Sequence, residues 1–266
     1  MIIPALNEEA ALPSTLAELA ALDVTLDALV VDDGSRDRTP IVAAAGGAYV
    51  VSLPFNLGVG GAVRTGLRFA RDRGYDRALI VDADGQHDPR AISDLLAALD
   101  SGADVAVGSR FAPGARSYPV SRVRRSAMRL LARIVQLLTG QRFTDVTSGF
   151  RAFGRRAIEP LARDYPTEYL ADTVEVLLLC CAEGLRVTEV PIAMRVRAAG
   201  LPSNRNLRLV VSFLRVFVGL MGSAIFTPGR ARRAPMAGAE VEEHAAPPPV
   251  HRASRRRAAS NAGGSS

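Results

Sequence analysis

Asp82 and Asp84 stand one residue apart, around Ala83, directly after the apolar run Leu79-Ile80-Val81. At a strand end where the chain turns, two such carboxylates can converge on one hard divalent cation, and Gln86 can add an oxygen. A metal held there would bridge the phosphates of a nucleotide and neutralise a departing diphosphate. The plainer reading is that acids follow strands as turn residues and helix caps. Asp88, just before Pro89, is placed for that duty. The pair alone does not decide, so its company matters.

That company is Pro4-Ala5-Leu6-Asn7-Glu8 and Val31-Asp32-Asp33-Gly34-Ser35. Asp33 can accept from the N–H of a nucleobase, and Gly34 lets the backbone come close to it. Glu8 can accept from ribose hydroxyls. The elements that must carry these groups are legible as an alternation. Strands are expected at 1–3, 29–32, 49–53, 78–82 and 104–107, with amphipathic helices at 8–22, 37–45, 59–73 and 89–101. Such alternation implies right-handed βαβ units in a mostly parallel sheet. Sites in such sheets gather at the C-terminal strand ends, where these polar clusters fall. Only three residues precede Pro4, where a central strand wants about five or six. The natural start is therefore expected upstream.

The second half reads differently. A loop rich in Arg, Pro and Gly is expected over 108–123. An amphipathic helix follows over 124–138, with Met128, Leu131, Ile134, Val135 and Leu138 on its apolar face. A polar turn at 144–151, helices at 155–163 and 169–183, and short strands at 186–190 and 192–196 complete the domain. Residues 198–206 are a Gly/Pro/Asn loop. Residues 207–226 are mostly apolar but include Arg208 and Arg215. This stretch is expected to lie in a membrane interface, with a single span and an ordinary packing helix as the alternatives. Residues 227–266 lack apolar periodicity and are expected to be disordered.

Of 266 residues, 48% are hydrophobic and 23% charged, which excludes collagen-like and wholly disordered chains. The net charge of +6 is uneven. Seven arginines and three glutamates after residue 226 put +4 on the tail and leave +2 on residues 1–226. The body is thus not basic enough to argue for nucleic acid. All 33 basic residues are arginine, so arginine count alone says little about phosphate binding. Cys180 and Cys181 make no disulfide framework or zinc pair and are expected in the core, in a reducing compartment. The apolar start lacks a basic region and meets Asn7, Glu8 and Glu9 at once, unlike a secretory signal. Gly58-Val59-Gly60-Gly61 has neither dinucleotide nor P-loop spacing and is expected to serve close packing. His87 is expected to hydrogen-bond within the structure rather than to ligate metal.

Taken together, PxxNE at 4–8, VDDGS at 31–35, DADGQH at 82–87, GSR at 108–110 and SGFR at 148–151 resemble family 2 glycosyltransferases. More narrowly they are similar to dolichol- and polyprenol-phosphate sugar transferases. The resemblance covers residues 1–206. It implies a GT-A fold, a nucleotide-diphospho-sugar donor, Mg²⁺ or Mn²⁺, and inverting transfer to polyprenyl phosphate. By position it implies that Pro4, Asn7, Glu8 and Asp33 hold the nucleoside. Asp82, Asp84 and Gln86 would surround the metal, with Ala83 against the donor. Arg110 would face the reacting phosphates, Arg122 and Ser126 the acceptor phosphate, and Arg197 the donor diphosphate. Leu6 stands where that family often has Tyr, and Ser203, Asn204 and Arg205 stand where it often has Lys.

A lipid phosphate is already anionic, so it needs no catalytic base. Arginines and a metal then solve the main problem, which is bringing two anions together. The reading is a transferase domain over 1–206, a membrane-associated or packing helix over 207–226 and a tail over 227–266. It acts at the cytoplasmic face of the plasma membrane, with no nucleic-acid partner. Its rivals are the same fold acting on a soluble or saccharide acceptor, and a non-catalytic nucleotide-sugar-binding partner.

Overall fold

Proline removes a backbone donor and normally stays out of central strands. β1 (Ile2–Ala5) nevertheless runs through Pro4. Alternate carbonyls of β1 face its two neighbours: Met1 and Ala5 accept from Leu29 and Asp33 on one side, and Ile2 accepts from Val81 on the other. Pro4 shares the parity of Ile2. The strand on that side pairs with β1 only at Ile2↔Ile80, so no ladder bond is lost. The strand expected to stop at residue 3 thus continues to Ala5.

The computed structural model describes residues 1–115, 122–167 and 172–195. Arg197, the loop at 198–206, the apolar stretch at 207–226 and the tail at 227–266 lie outside the described residues. The first half contains α1 (Leu12–Ala20), β2 (Leu29–Asp32), α2 (Thr39–Ala45), β3 (Tyr49–Ser52), α3 (Gly58–Asp72), β4 (Arg77–Ile80), α4 (Ala91–Asp100) and β5 (Val105–Ser109). The second contains α5 (Arg122–Thr139), β6 (Arg151–Gly154), α6 (Arg155–Asp164), α7 (Asp172–Ala182) and β7 (Val187–Pro191). The strands form one sheet in the order β3-β2-β1-β4-β6-β5-β7. β6 is antiparallel to both its neighbours, and the other pairings are parallel.

Helices cover both faces, which is why the strands read as unbroken apolar runs. Side chains alternate between the two cores. Ile2, Val31, Ile80 and Val107 face α3, α5, α6 and α7 through Leu67, Val135, Leu161 and Leu177. Ile3, Val30, Leu79 and Ala106 face α1 and α4 through Leu12, Leu16, Ile92 and Leu95. Cys180 is buried in the first core, as expected.

Three expectations need correction. β6 was not foreseen: Arg-Ala-Phe-Gly is four residues long, and its first three are all buried, so no period-two signal exists. The strand expected at 192–196 is reduced to a single antiparallel bridge between Met194 and His87. The helix expected from residue 8 starts at Leu12: the Glu8 carbonyl accepts the N–H groups of Ala11 and Leu12 in a single turn, and Pro13 has no N–H to carry the ladder on from Glu9. Gly60 does serve close packing, though against chain rather than sheet. A Cβ there would stand 2.3 Å from the Pro166 carbonyl oxygen, beyond the end of α6.

Candidate active site

The loops after β1 and β2 are stitched together by their own polar residues. Asn7 adopts φ 54°, a left-handed conformation that asparagine tolerates better than most residues. Its N–H donates to Ser35 Oγ at 2.9 Å, and its Oδ1 accepts from the Arg36 N–H at 2.8 Å. The Glu8 N–H donates to Thr39 Oγ1 at 2.8 Å. These bonds fix where the exposed Asn7 and half-buried Glu8 project, beside the half-buried Pro4.

Asp33 is 4% exposed and does work the sequence did not reveal. Its Oδ1 and Oδ2 accept the N–H groups of Leu57 and Gly58 at 2.7 and 2.9 Å, capping the start of α3. Burial pushes its carboxyl above the usual carboxylate value, and these two bonds only partly offset that. Gly34 takes φ +77°, and a Cβ there would lie 3.0 Å from the Phe55 backbone. Its backbone thus packs closely on the β3–α3 loop.

The turn between β4 and α4 carries the paired aspartates. Asp84 is buried and accepts the Gln86 N–H on Oδ1 at 3.0 Å. The Asp82 side chain is 41% exposed. From α1, Thr15 donates its hydroxyl to the Ala83 carbonyl at 2.9 Å. Beneath the turn, the His87 ring stacks on Phe150 with centroids 4.3 Å apart. Its Nδ1 accepts the Asp82 N–H at 3.1 Å, so neutral His87 carries its proton on Nε2, 3.3 Å from Asp82 Oδ2. His87 thus makes the internal hydrogen bond expected of it. Two carboxylates and an amide in one anchored turn form a hard oxygen set, which fits Mg²⁺ or Mn²⁺.

Arg110 follows β5 directly. Its Nε and Nη2 form a fork onto Asp145 Oδ2 and Oδ1 at 2.6 and 2.8 Å, and Nη2 also meets Thr147 Oγ1 at 2.7 Å. The fork, expected to face reacting phosphates, is turned toward a fully buried carboxylate that needs a paired cation. Burial pushes the Asp145 carboxyl up, but Arg110 and Thr147 outweigh it and hold the group below its usual value. Asp145 is itself placed by Glu189 on β7, which accepts the Asp145 N–H at 2.8 Å and both the N–H and hydroxyl of Thr144. Thr144 in turn meets Ser109 Oγ at 2.6 Å. Asp145 lies in the polar turn expected over 144–151. Glu189 gave no signal, because one acid in a short edge strand reads as a solvent-facing residue.

Arg122, expected at the acceptor phosphate, opens α5, and its side chain lies outside the described part. Ser126 is exposed one turn on. It lines a groove of about 970 Å³ with Arg125, Arg129, Arg133 and Arg142 and the apolar Met128 and Phe143. The structure therefore gathers Pro4, Asn7, Glu8, Asp33, Asp82, Asp84 and Gln86 at the ends of β1, β2 and β4. It sets Arg110 at the end of β5 and leaves Arg197 undescribed.

The family model for glycosyl transferase family 2 matches residues 1–161. The chain belongs to glycosyl transferase family 2. Among curated family members, it is 35% identical to undecaprenyl-phosphate mannosyltransferase of Micrococcus luteus, over 75% of this chain and 84% of that one. It is 32% identical to polyprenol monophosphomannose synthase of Mycolicibacterium smegmatis, over 78% and 82%. A solved structure of similar fold is glucosyl-3-phosphoglycerate synthase from Mycobacterium tuberculosis in complex with Mn²⁺ and uridine-diphosphate-glucose. It superposes with a TM-score of 0.62 at 25% identity, over 86% of this chain and 79% of that one. The glycosyltransferase fold is thus the GT-A-like, mostly parallel sheet that the motifs implied.

Proposed function

We propose that this family 2 glycosyltransferase moves a sugar from a nucleotide diphosphate to a polyprenyl phosphate, with inversion at the sugar carbon. The motifs and the polyprenyl-phosphate transferases among its relatives support the substrate classes. One observation carries the acceptor chemistry. Among the described residues, Asp145 on Arg110 and Glu189 behind it are both committed to the protein's own donors. A saccharide hydroxyl needs a base within hydrogen-bond reach, and Asp145, held below its usual value by Arg110, is a weak one. A phosphate oxygen arrives already charged.

Asp82, Asp84 and Gln86 would hold the divalent ion, which when bound offsets the charge of the departing diphosphate. Asn7 and Glu8 bind the nucleoside from one side, and Asp33 accepts from the base with lone pairs that the α3 cap leaves over. Arg122 and Ser126 orient the acceptor phosphate, Arg197 holds the donor diphosphate, and Arg110 keeps a cation at the end of β5. Labelled GDP-mannose, UDP-glucose or UDP-N-acetylglucosamine, incubated with polyprenyl phosphate with and without Mg²⁺, tests the reading. Label passes to the lipid only with the metal. Transfer to water-soluble sugars alone would overturn the acceptor assignment.

The same reading places the chain on the cytoplasmic membrane surface as a peripheral protein. Among the described residues no helix is long and apolar enough to cross a membrane. Arg125, Arg129 and Arg133 repeat every four residues along α5, and Leu130 and Leu137, 61% and 85% exposed, lie among them. Each basic residue near an anionic surface contributes about 1 kcal/mol. Residues 207–226 would add the apolar part of the anchor. The full chain should float with anionic liposomes, and a chain ending at residue 206 should stay behind while still binding nucleotide-sugar. A full chain that ignores the liposomes, or leaves them only in detergent, would defeat this.

A further inference from the structure

The turn bearing Asp82, Asp84 and Gln86 is gripped from α1 at two places. The first is the Thr15 hydroxyl on the Ala83 carbonyl. The second runs through Arg195. One helical turn past Thr15, Glu18 accepts from Arg195 Nη1 at 2.5 Å, and Nη2 of the same guanidinium reaches Asp88 Oδ1 at 3.1 Å. The main chain of Arg195 joins in, donating its N–H to the Gln86 carbonyl at 2.9 Å beside the Met194–His87 bridge.

We propose that Arg195 is a positioning residue for the metal-binding turn. It closes a ring that leaves α1 at Thr15, passes through Ala83 and the Gln86–Asp88 segment, and returns to α1 at Glu18. The ring sets the spacing of Asp82, Asp84 and Gln86, and the inference rests on the metal assignment made above.

Stability alone does not account for the arrangement. The side chains of Arg195, Glu18 and Asp88 are 37%, 50% and 21% exposed, and ion pairs so open to water add little to folding. What they add is direction. A planar fork meets two carboxylates at fixed angles, which an ammonium cannot do. The turn also concentrates negative charge, with Asp82, Asp84 and Asp88 inside seven residues. Arg195 balances the outermost of the three and ties its main chain down. Partners hydrogen-bonded to a metal's ligands alter its affinity by about 10–100-fold, and Arg195 reaches the ligand-bearing turn through the Gln86 carbonyl and through Asp88, two residues on.

The test titrates Mn²⁺ into the full chain at fixed UDP and, separately, fixed GDP, following loss of the free Mn²⁺ paramagnetic signal. Arg195→Ala should raise the half-saturating Mn²⁺ concentration by about 10–100-fold. Its melting temperature should stay within about 4 °C of the parent, roughly 1 kcal/mol in a chain of this size. Arg195→Lys should recover part of the loss. Glu18→Gln, a change at a half-exposed residue, should shift the titration the same way and carries the test if Arg195→Ala fails to fold. A parental titration in Arg195→Ala, or a weakening matched by a large fall in melting temperature, overturns the proposal. If Asp84→Asn also titrates like the parent, the metal assignment itself falls and takes this inference with it.

Discussion

Asp84→Asn should give a folded protein without measurable turnover. Asparagine keeps an Oδ1 that can accept the Gln86 N–H, so the bond that Asp84 makes inside its turn survives. What disappears is one of the two negative charges that would hold a divalent ion against water. Aspartate at this position is 7% exposed, so no solvent-borne group can replace it. Steady-state assays with labelled donor should find no transfer at any Mg²⁺ concentration. The melting temperature should stay within about 4 °C of the parent. Parental rates in chelator-treated buffer would show that the metal assignment is wrong.

Arg110→Ala should cost both activity and stability, and the two costs can be separated. Loss of one charge-stabilising donor lowers kcat/KM by about 10²–10³. Removing the cation also strands Asp145, whose side chain is fully buried, and breaking such a pair costs about 3–5 kcal/mol. In a chain of this size that is a fall of roughly 10 °C in melting temperature. The double variant Arg110→Ala/Asp145→Ala removes the stranded charge and should recover much of the stability but none of the activity. Parental activity in the single variant would mean that Arg110 has no part in transfer. The pair also has a pH signature. The Asp145 carboxyl is held below its ordinary 3.8, so its contribution to stability is whole above that value and is lost as the pH falls further. Denaturant midpoints should therefore drop more steeply in acid for the parent than for the double variant.

The strand–helix alternation of the first half was legible because each strand is short, apolar and bounded by polar turns. Asp82, Asp84 and Asp33 were legible because their side-chain types stand directly at strand ends. What those residues bond to was not. Arg110 finds Asp145 35 residues away, and Asp145 depends on Glu189 44 residues further on. Side-chain partners so far apart leave no periodicity or spacing behind. The same holds for Asp33, whose capping of α3 joins positions 24 and 25 residues apart. β6 stayed hidden for a different reason: a four-residue strand covered on both faces has no alternation to announce it.

That strand also governs the order in which the molecule can be assembled. β4 and β5 never pair with each other; each pairs with β6, which arrives from the second half of the chain. As synthesis proceeds, the first three strands and their helices can settle by local contacts. β4 and β5 must then wait as two open edges until residues 151–154 emerge and slot between them. Unpaired edges invite association with other chains, and pairing across such sequence distance is slow. The nascent protein is therefore most vulnerable to aggregation after β5 is made and before β6, and then β7, complete the sheet.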